Sequence, residues 1–167
     1  MAEAMNLPGT KPNILARFAA VDECASIARV LYEAFVEYKS LYTPEAFAAT
    51  TPNADHIRQR WHEGPVWVAC QHDQIVGTVA AVAKGQALYI RSMALLPNAR
   101  GMGIGRALLD QVETFANAGG FRQMFLSTTP FLDNAIRLYA GYGFERSSDG
   151  PRALFGTHLV TLEKTLK

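Results

Sequence analysis

The chain has 167 residues, of which 49% are apolar and 19% charged, with a formal net charge of +1. This length suits one domain of ordinary size, and the apolar content argues against disorder. The near-neutral charge gives no support for a nucleic-acid binder or for binding to an acidic membrane surface. No apolar stretch reaches the roughly 20 residues that a membrane-spanning helix needs.

The first part of the chain predicts a strand, two helices and an antiparallel meander. Residues 1–12 form a short polar leader, and residues 13–167 form the domain. A first helix begins at Asp22 and ends near residues 43–44, and a second opens at the Thr51–Pro52 pair and ends at residues 64–65. Apolar runs bounded by turn residues predict strands at residues 14–18, 66–70, 75–82 and 87–96.

The second part of the chain predicts alternating helices and strands. A helix carries Ile104, Leu108, Val112 and Phe115 on one apolar stripe, and a later helix opens at Thr129–Pro130. Predicted strands cover residues 121–128, 144–146 and 154–162. The order of elements therefore predicts one α/β domain with a mixed sheet.

Cys24 and Cys70 lack the spacing of metal ligands and cannot form the disulfide framework of a small secreted protein. We therefore expect two reduced, mostly buried thiols, a cytoplasmic protein and no bound metal.

A loop rich in glycine and arginine lies between a predicted strand and a predicted helix. Such a junction leaves the first helical N–H groups unpaired and places partial positive charge there. Glycines let an anion approach the backbone, and arginines add charged donors. The loop therefore predicts a phosphate or pyrophosphate site. Its residues are Arg100, Gly101, Met102, Gly103, Ile104, Gly105 and Arg106.

Two familiar phosphate motifs do not match this loop. A nucleotide P-loop needs Lys and Ser or Thr where the chain has Arg106 and Ala107. A dinucleotide fingerprint that starts at Gly101 needs a small residue at position 106 and an acidic residue about 20 positions further on, and neither is present. The pattern that fits is Arg-x-x-Gly-x-Gly, formed by Arg100, Gly103 and Gly105.

Residues 92–109, SMALLPNARGMGIGRALL, resemble the acetyl-CoA-binding core of the GNAT (GCN5-related) N-acetyltransferases. A second match is the segment from Ala135 to Tyr139 followed by Gly141–Phe144, which is similar to a later helix of that family. The resemblance implies a single-domain GNAT-like fold, with a mixed six- to seven-stranded sheet, splayed central strands and about four flanking helices. It also implies an acetyl-CoA-dependent N-acetyltransferase.

The resemblance also implies how coenzyme A is bound. The diphosphate lies on the backbone of residues 100–106, and the pantetheine amides pair with the preceding strand at Met93 and Leu95. A backbone N–H near Leu95 polarises the thioester carbonyl. The family often has asparagine seven residues before its tyrosine. That place is Leu132 here, and Asn134, two residues later, is the candidate for a cofactor hydrogen bond.

Tyr139 is the predicted general acid toward the CoA thiolate, since phenol and thiol have similar pKa values. Periodicity alone favours a core tyrosine, and the family match favours catalysis. No carboxylate lies on the strand at residues 87–96, so the general base stays open between a water chain and five side chains, namely Glu33, Glu37, Tyr38, His56 and His62.

The acceptor is expected to be a primary amine of a small molecule or peptide, bound in an aromatic region between the first two helices and the sheet. A non-catalytic CoA-sensing or interaction module of the same fold is the alternative. A homodimer is compatible with the aromatic helix face.

Overall fold

The computed structural model describes residues 13–167, so the predicted leader lies outside the described residues. Nine strands are found in this part of the chain. They are β1 (Ile14–Phe18), β2 (Val66–Gln71), β3 (Gln74–Lys84), β4 (Ala87–Leu95), β5 (Gln123–Thr128), β6 (Glu145–Ser147), β7 (Ala153–Leu154), β8 (Thr157–His158) and β9 (Val160–Thr165).

Five α-helices occur within residues 13–167, where about four were expected. They are α1 (Cys24–Phe35), α2 (Pro44–Thr50), α3 (Ala54–Gln59), α4 (Ile104–Ala118) and α5 (Asp133–Tyr142). Short 3-10 turns follow α1 at Val36–Leu41 and α3 at Trp61–Glu63. No helix in the described range is both long and apolar enough to cross a membrane.

Seven strands form one mixed sheet in the order β1-β2-β3-β4-β5-β9-β6. Neighbours are antiparallel except β4 and β5, which run parallel. The α/β class, the single domain and the mixed sheet of six to seven strands predicted from the sequence are therefore confirmed. Strands β7 and β8 form a separate small hairpin.

The core lies on both faces of the sheet. β3 is buried without alternation from Ile75 to Ala81, which means that neither face of the sheet is open to water there. α1 packs on β3 and β4, and α4 packs on strands β1 to β5. The fully buried Trp67 on β2 stacks on Phe18 and meets Phe115 of α4 edge to face.

Helix α2 occupies a segment that the sequence analysis left outside any helix. The Thr43–Pro44 pair was interpreted as the end of the first helix, but it begins a new one. The Thr43 hydroxyl accepts a hydrogen bond from the Ala46 amide at 3.2 Å, and Pro44 occupies the first helical turn. Proline is compatible with the first turn of a helix because the N–H that it lacks has no partner within the helix there. The predicted second helix is correspondingly shorter, since α3 spans only Ala54–Gln59.

The predicted strand at residues 154–162 is interrupted. Phe155 and Gly156 have φ angles of +44° and +85° and close the tight turn between β7 and β8. Phenylalanine rarely adopts a positive φ, so this turn is difficult to predict from the residue types alone. The Thr43 hydroxyl donates to the Phe155 carbonyl at 2.7 Å, and the Thr157 hydroxyl accepts from the Thr43 amide at 2.9 Å. The hairpin is therefore fixed to the start of α2.

Gly64, just before β2, packs closely against the backbone of β3, and its replacement tests this contact. A Cβ added at Gly64 would clash with the backbone carbonyl oxygen of Ala81 on β3, which cannot move without disturbing the sheet. We expect Gly64→Ala to lower the free energy of unfolding by about 2–3 kcal/mol. The matched control is Gly141→Ala in α5, where a Cβ meets open space. It should be neutral or stabilise by up to about 1 kcal/mol. Urea unfolding of both variants checks this, and equal stabilities would contradict it.

Candidate active site

The site begins where strands β4 and β5 separate. They pair only at three positions, from Ala87 opposite Gln123 to Tyr89 opposite Phe125. Beyond that point β5 continues to pair with β9 on its other edge, while β4 continues to pair with β3. The edge of β4 that faces β5 is therefore open over the rest of its length, and the predicted splay of the central strands is present.

A bulge in β4 lies at the centre of this opening. Ser92 has a φ of +53°, and the β3–β4 register shifts between Thr78 and Ala80. After the bulge, the Leu96 amide donates to the Val76 carbonyl of the neighbouring strand segment at 2.8 Å. Since backbone groups alternate along a strand, the Leu95 amide points the opposite way, toward the open edge.

The loop that follows β4 leads into α4, and the N-terminus of this helix has no side-chain cap. Gly101 and Gly103 have φ angles of +76° and +80°, and a Cβ at either would meet nothing within 4 Å. No side chain caps the N-terminus of α4 at Gly103. The leading amides of this 15-residue helix therefore face open space without a partner, as an anion site requires.

Other residues of the loop have packing roles that the sequence analysis did not anticipate. Ile104 is fully buried in the core, so only its backbone can serve a ligand. A Cβ on Gly105 would lie 2.6 Å from Leu138 of α5 and 3.6 Å from side-chain atoms of both Met93 and Leu95. Gly105 therefore allows α4 to approach α5 and β4 closely. The Met102 side chain lies near Gln71 and does not line the cavity described below.

Arg100 is tied to α1 rather than free for an anion. Its guanidinium donates to the Ala34 carbonyl at 3.1 Å and pairs with Glu37 at 2.7 Å. Arg106 is exposed, and its guanidinium lies 5.3 Å from the ring centre of Tyr142. Of the two loop arginines, Arg106 is the one without an acidic partner among residues 13–167.

Tyr139 lies on α5 and is 6% exposed. Its ring meets Phe144 edge to face at 5.8 Å, and the Phe144 amide closes the end of α5 by donating to the Tyr139 carbonyl at 3.0 Å. Burial raises the pKa of the Tyr139 phenol well above its ordinary value near 10. The phenol is therefore protonated at neutral pH and is available there as a proton donor.

One cavity of about 1040 Å³ brings most of these residues together. The predicted site residues in its wall are Met93, Leu95, Arg100, Gly101, Gly103, Ile104, Gly105, Arg106, Asn134 and Tyr139. Leu132, at the position where the family often has asparagine, and the exposed Asn134 both line this cavity. The cavity continues past the bulge to Tyr38, Tyr42 and Tyr89, where the aromatic region was expected.

Among the described residues, the cavity wall contains no Asp, Glu or His. Of the five side chains considered as a general base, only Tyr38 lines the cavity. Glu37 is paired with Arg100, as described above.

Sequence reasoning missed two parts of the wall. Arg60, just after α3, was not singled out, because one arginine in a polar segment carries no motif. The β7–β8 hairpin, which contributes Ala153, Leu154 and Thr157, was hidden inside a predicted continuous strand. Its signal was the Phe155–Gly156 pair, which is an unusual sequence for a two-residue turn.

Comparisons with known proteins agree with this architecture. The model of the acetyltransferase (GNAT) family matches residues 28–144. The Escherichia coli protein named uncharacterized N-acetyltransferase YjgM is 29% identical over 147 residues, which cover 84% of this chain and 87% of that protein. N-acetyltransferase 8B of Rattus norvegicus is 33% identical over 87 residues, or 48% of this chain, and the match spans only 39% of the rat protein.

Solved structures share the fold at low sequence identity. The PaiA N-acetyltransferase of Thermoplasma acidophilum, in complex with coenzyme A, has a TM-score of 0.78 at 15% identity and covers 92% of this chain and 99% of its own. The YncA protein of Salmonella typhimurium, with acetyl-CoA, has a TM-score of 0.70 at 22% identity and covers 92% and 94%.

The burial of Tyr139 makes a testable prediction about its ionisation. In ¹³C-tyrosine-labelled protein, the Cζ resonance that disappears in Tyr139→Phe should show no ionisation at about pH 10, where an ordinary tyrosine is half ionised, because the phenolate would be desolvated. Titration of this resonance by NMR provides the measurement. An ionisation near pH 10 or below would show that the phenol is hydrated.

Proposed function

The chain belongs to the acetyltransferase (GNAT) family and is an acyltransferase, and from this we propose that it transfers an acetyl group from acetyl-CoA directly to a primary amine of a small molecule or peptide. The observation that carries the proposal is the opening between β4 and β5. It joins an uncapped helix N-terminus, an unpaired strand edge and a buried tyrosine in one cavity.

The residues present fit the diphosphate and the pantetheine arm of coenzyme A. The open space beside Gly103 and the unpartnered amides of the first turn of α4 suit a diphosphate, with Arg106 as the charged donor. The free edge of β4, with the Leu95 amide pointing outward, suits the amide groups of pantetheine, which would add to the sheet as a strand does. Asn134, exposed at the start of α5, supplies a further polar group.

In the proposed transfer, Tyr139 protonates the departing thiolate of coenzyme A. The acceptor ammonium first loses one proton to water, because only the neutral amine has an electron pair for attack. The amine nitrogen then forms a bond with the thioester carbonyl carbon, and the oxyanion that develops is stabilised by a backbone N–H near Leu95. The C–S bond breaks, and the thiolate takes the phenolic proton. The second proton lost by the nitrogen passes through water to the tyrosinate and restores the phenol.

Burial affects both partners of that step in the same direction. It raises the pKa of the phenol, which alone would make Tyr139 a weaker acid toward a thiolate. A thiolate formed in the same cavity is also an anion in an apolar environment, so burial raises the pKa of its thiol as well. The match between the two acids is therefore retained.

Replacement of Tyr139 by Phe tests the proton step. We expect kcat to fall by about 10²–10⁴ while the Kd for coenzyme A changes less than about threefold, because only the acid is removed. The matched control is Tyr142→Phe. The Tyr142 hydroxyl donates to Asp110 at 2.7 Å and lies outside the cavity wall. Steady-state kinetics and calorimetry provide the measurements. An unchanged kcat in Tyr139→Phe would remove this residue from the mechanism. Tight binding of coenzyme A with no turnover of any amine would favour the non-catalytic module.

Replacement of Gly103 by Val tests the diphosphate site. A side chain at this position would enter the open space beside the α4 amides, so we expect coenzyme A affinity to fall more than about 30-fold. Gly120→Val is the matched control, because Gly120 has a similar φ of +72° and equally open surroundings but lies at the other end of α4. Both variants should lose similar stability, and only Gly103→Val should lose binding in calorimetry. Normal affinity in that variant would contradict the assignment.

A further inference from the structure

The cavity wall has an unusual charge distribution. Within residues 13–167 it contains five arginines and no acidic side chain, the arginines being Arg60, Arg91, Arg100, Arg106 and Arg137. Three of them lie in the glycine loop and on α5, at the end assigned to the diphosphate. Arg60 and Arg91 lie elsewhere, so the phosphates of coenzyme A do not explain them.

Arg60 and Arg91 belong to the acceptor end of the cavity. Arg91 precedes the Ser92 bulge on β4 and is separated from Leu95 by roughly 13 Å of strand, at about 3.3 Å per residue. Arg60 lies between α3 and the following 3-10 turn. Tyr38, Tyr42 and Tyr89 complete the surrounding wall. The two arginines are therefore on the far side of the bulge from the glycine loop.

One carboxylate faces these two charges. Glu63 forms an ion pair with the Arg91 guanidinium at 2.5 Å. That pair links the 3-10 turn to β4 and is a sufficient structural reason for Arg91. Among the described residues Arg60 forms no ion pair, and Glu63 cannot neutralise both guanidinium groups. A net positive charge remains at this end.

Burial makes that remaining charge costly. The Nε atoms of Arg60 and Arg91 are both buried without a hydrogen-bond partner. Burial, followed by the repulsion from Arg91, lowers the pKa of Arg60 below its ordinary value. Buried donors are nearly always satisfied in folded proteins, and an anion satisfies two guanidinium groups best. The exposed Arg58, by contrast, already pairs with Asp55 outside the cavity.

We propose that the acceptor is a small amine that also carries a carboxylate, that is, an amino acid, whose carboxylate is bound by Arg60 and Arg91 while its amine faces the thioester. This assignment rests on the proposed acetyl transfer. The tyrosines of the wall suit an apolar or aromatic side chain. A polyamine or an aminoglycoside is disfavoured, because it would bring several positive charges to a cationic wall that has no unpaired carboxylate to bind them.

Pairs of substrates that differ only in the carboxylate test the proposal. L-Phenylalanine is compared with phenethylamine, L-leucine with isoamylamine, and L-phenylalanine with its amide. We expect kcat/KM to favour each amino acid by at least about 100-fold, because an analogue without the carboxylate leaves the Arg60 guanidinium unpaired. Arg60→Gln should remove most of this preference through KM, with kcat for the amino acid changed less than about fivefold. Arg60→Lys should restore part of it, and Arg58→Gln should leave it unchanged.

Failure of this proposal is distinguishable from failure of acetyl transfer. Equal or better turnover of the decarboxylated amines, or an undiminished preference in Arg60→Gln, would overturn the acceptor assignment and leave the acetyltransferase standing. If no amine is acetylated, calorimetry of N-acetyl-L-phenylalanine and N-acetylphenethylamine with the protein–coenzyme A complex decides. If only N-acetyl-L-phenylalanine binds, and its binding is lost in Arg60→Gln, the carboxylate site is supported. Equal binding of both compounds overturns it.

Discussion

The early end of the pairing between β4 and β5 is the constraint on which the rest of the site depends. Strand pairing normally satisfies backbone donors and acceptors on both edges, but β4 has a partner on only one side after Tyr89. β5 pairs with β9 over its whole length and stays with that strand where it separates from β4. The unpaired edge, the uncapped start of α4 and the ring of Tyr139 therefore face one space. The site is a break in an otherwise continuous sheet.

The positive potential at the two ends of this cavity has different sources. At the loop, the positive potential comes from the backbone amides at the start of α4 and from Arg106, because Arg100 is already paired with Glu37. At the far end it comes from side chains that the fold buries without enough counter-charge. Between them the wall is aromatic and aliphatic, and Tyr139 is neutral. A cavity of this kind suits two substrates that each carry an anionic group and that meet at an uncharged centre.

Much of this architecture could be predicted from sequence because its signals are local. The strands alternate or run apolar as expected, and the glycine loop lies where a strand meets a helix. The order of elements fixed the fold class. Helix α2 and the β7–β8 hairpin were missed because Thr43–Pro44 can end or begin a helix, and because Phe155 adopts a positive φ only in its tertiary setting. The juxtaposition of Arg60 with Arg91 could not be predicted, since it brings together residues 31 positions apart. The same is true of the pairing of Arg100 with α1.

That pairing connects the two ends of the site. The Arg100 guanidinium joins the glycine loop to the Ala34 carbonyl near the end of α1 and to Glu37, and the 3-10 turn that holds Glu37 also places Tyr38 in the cavity wall. Glu37 itself lies outside that wall. Any change in the loop that moved Arg100 would therefore reach Tyr38 through one guanidinium.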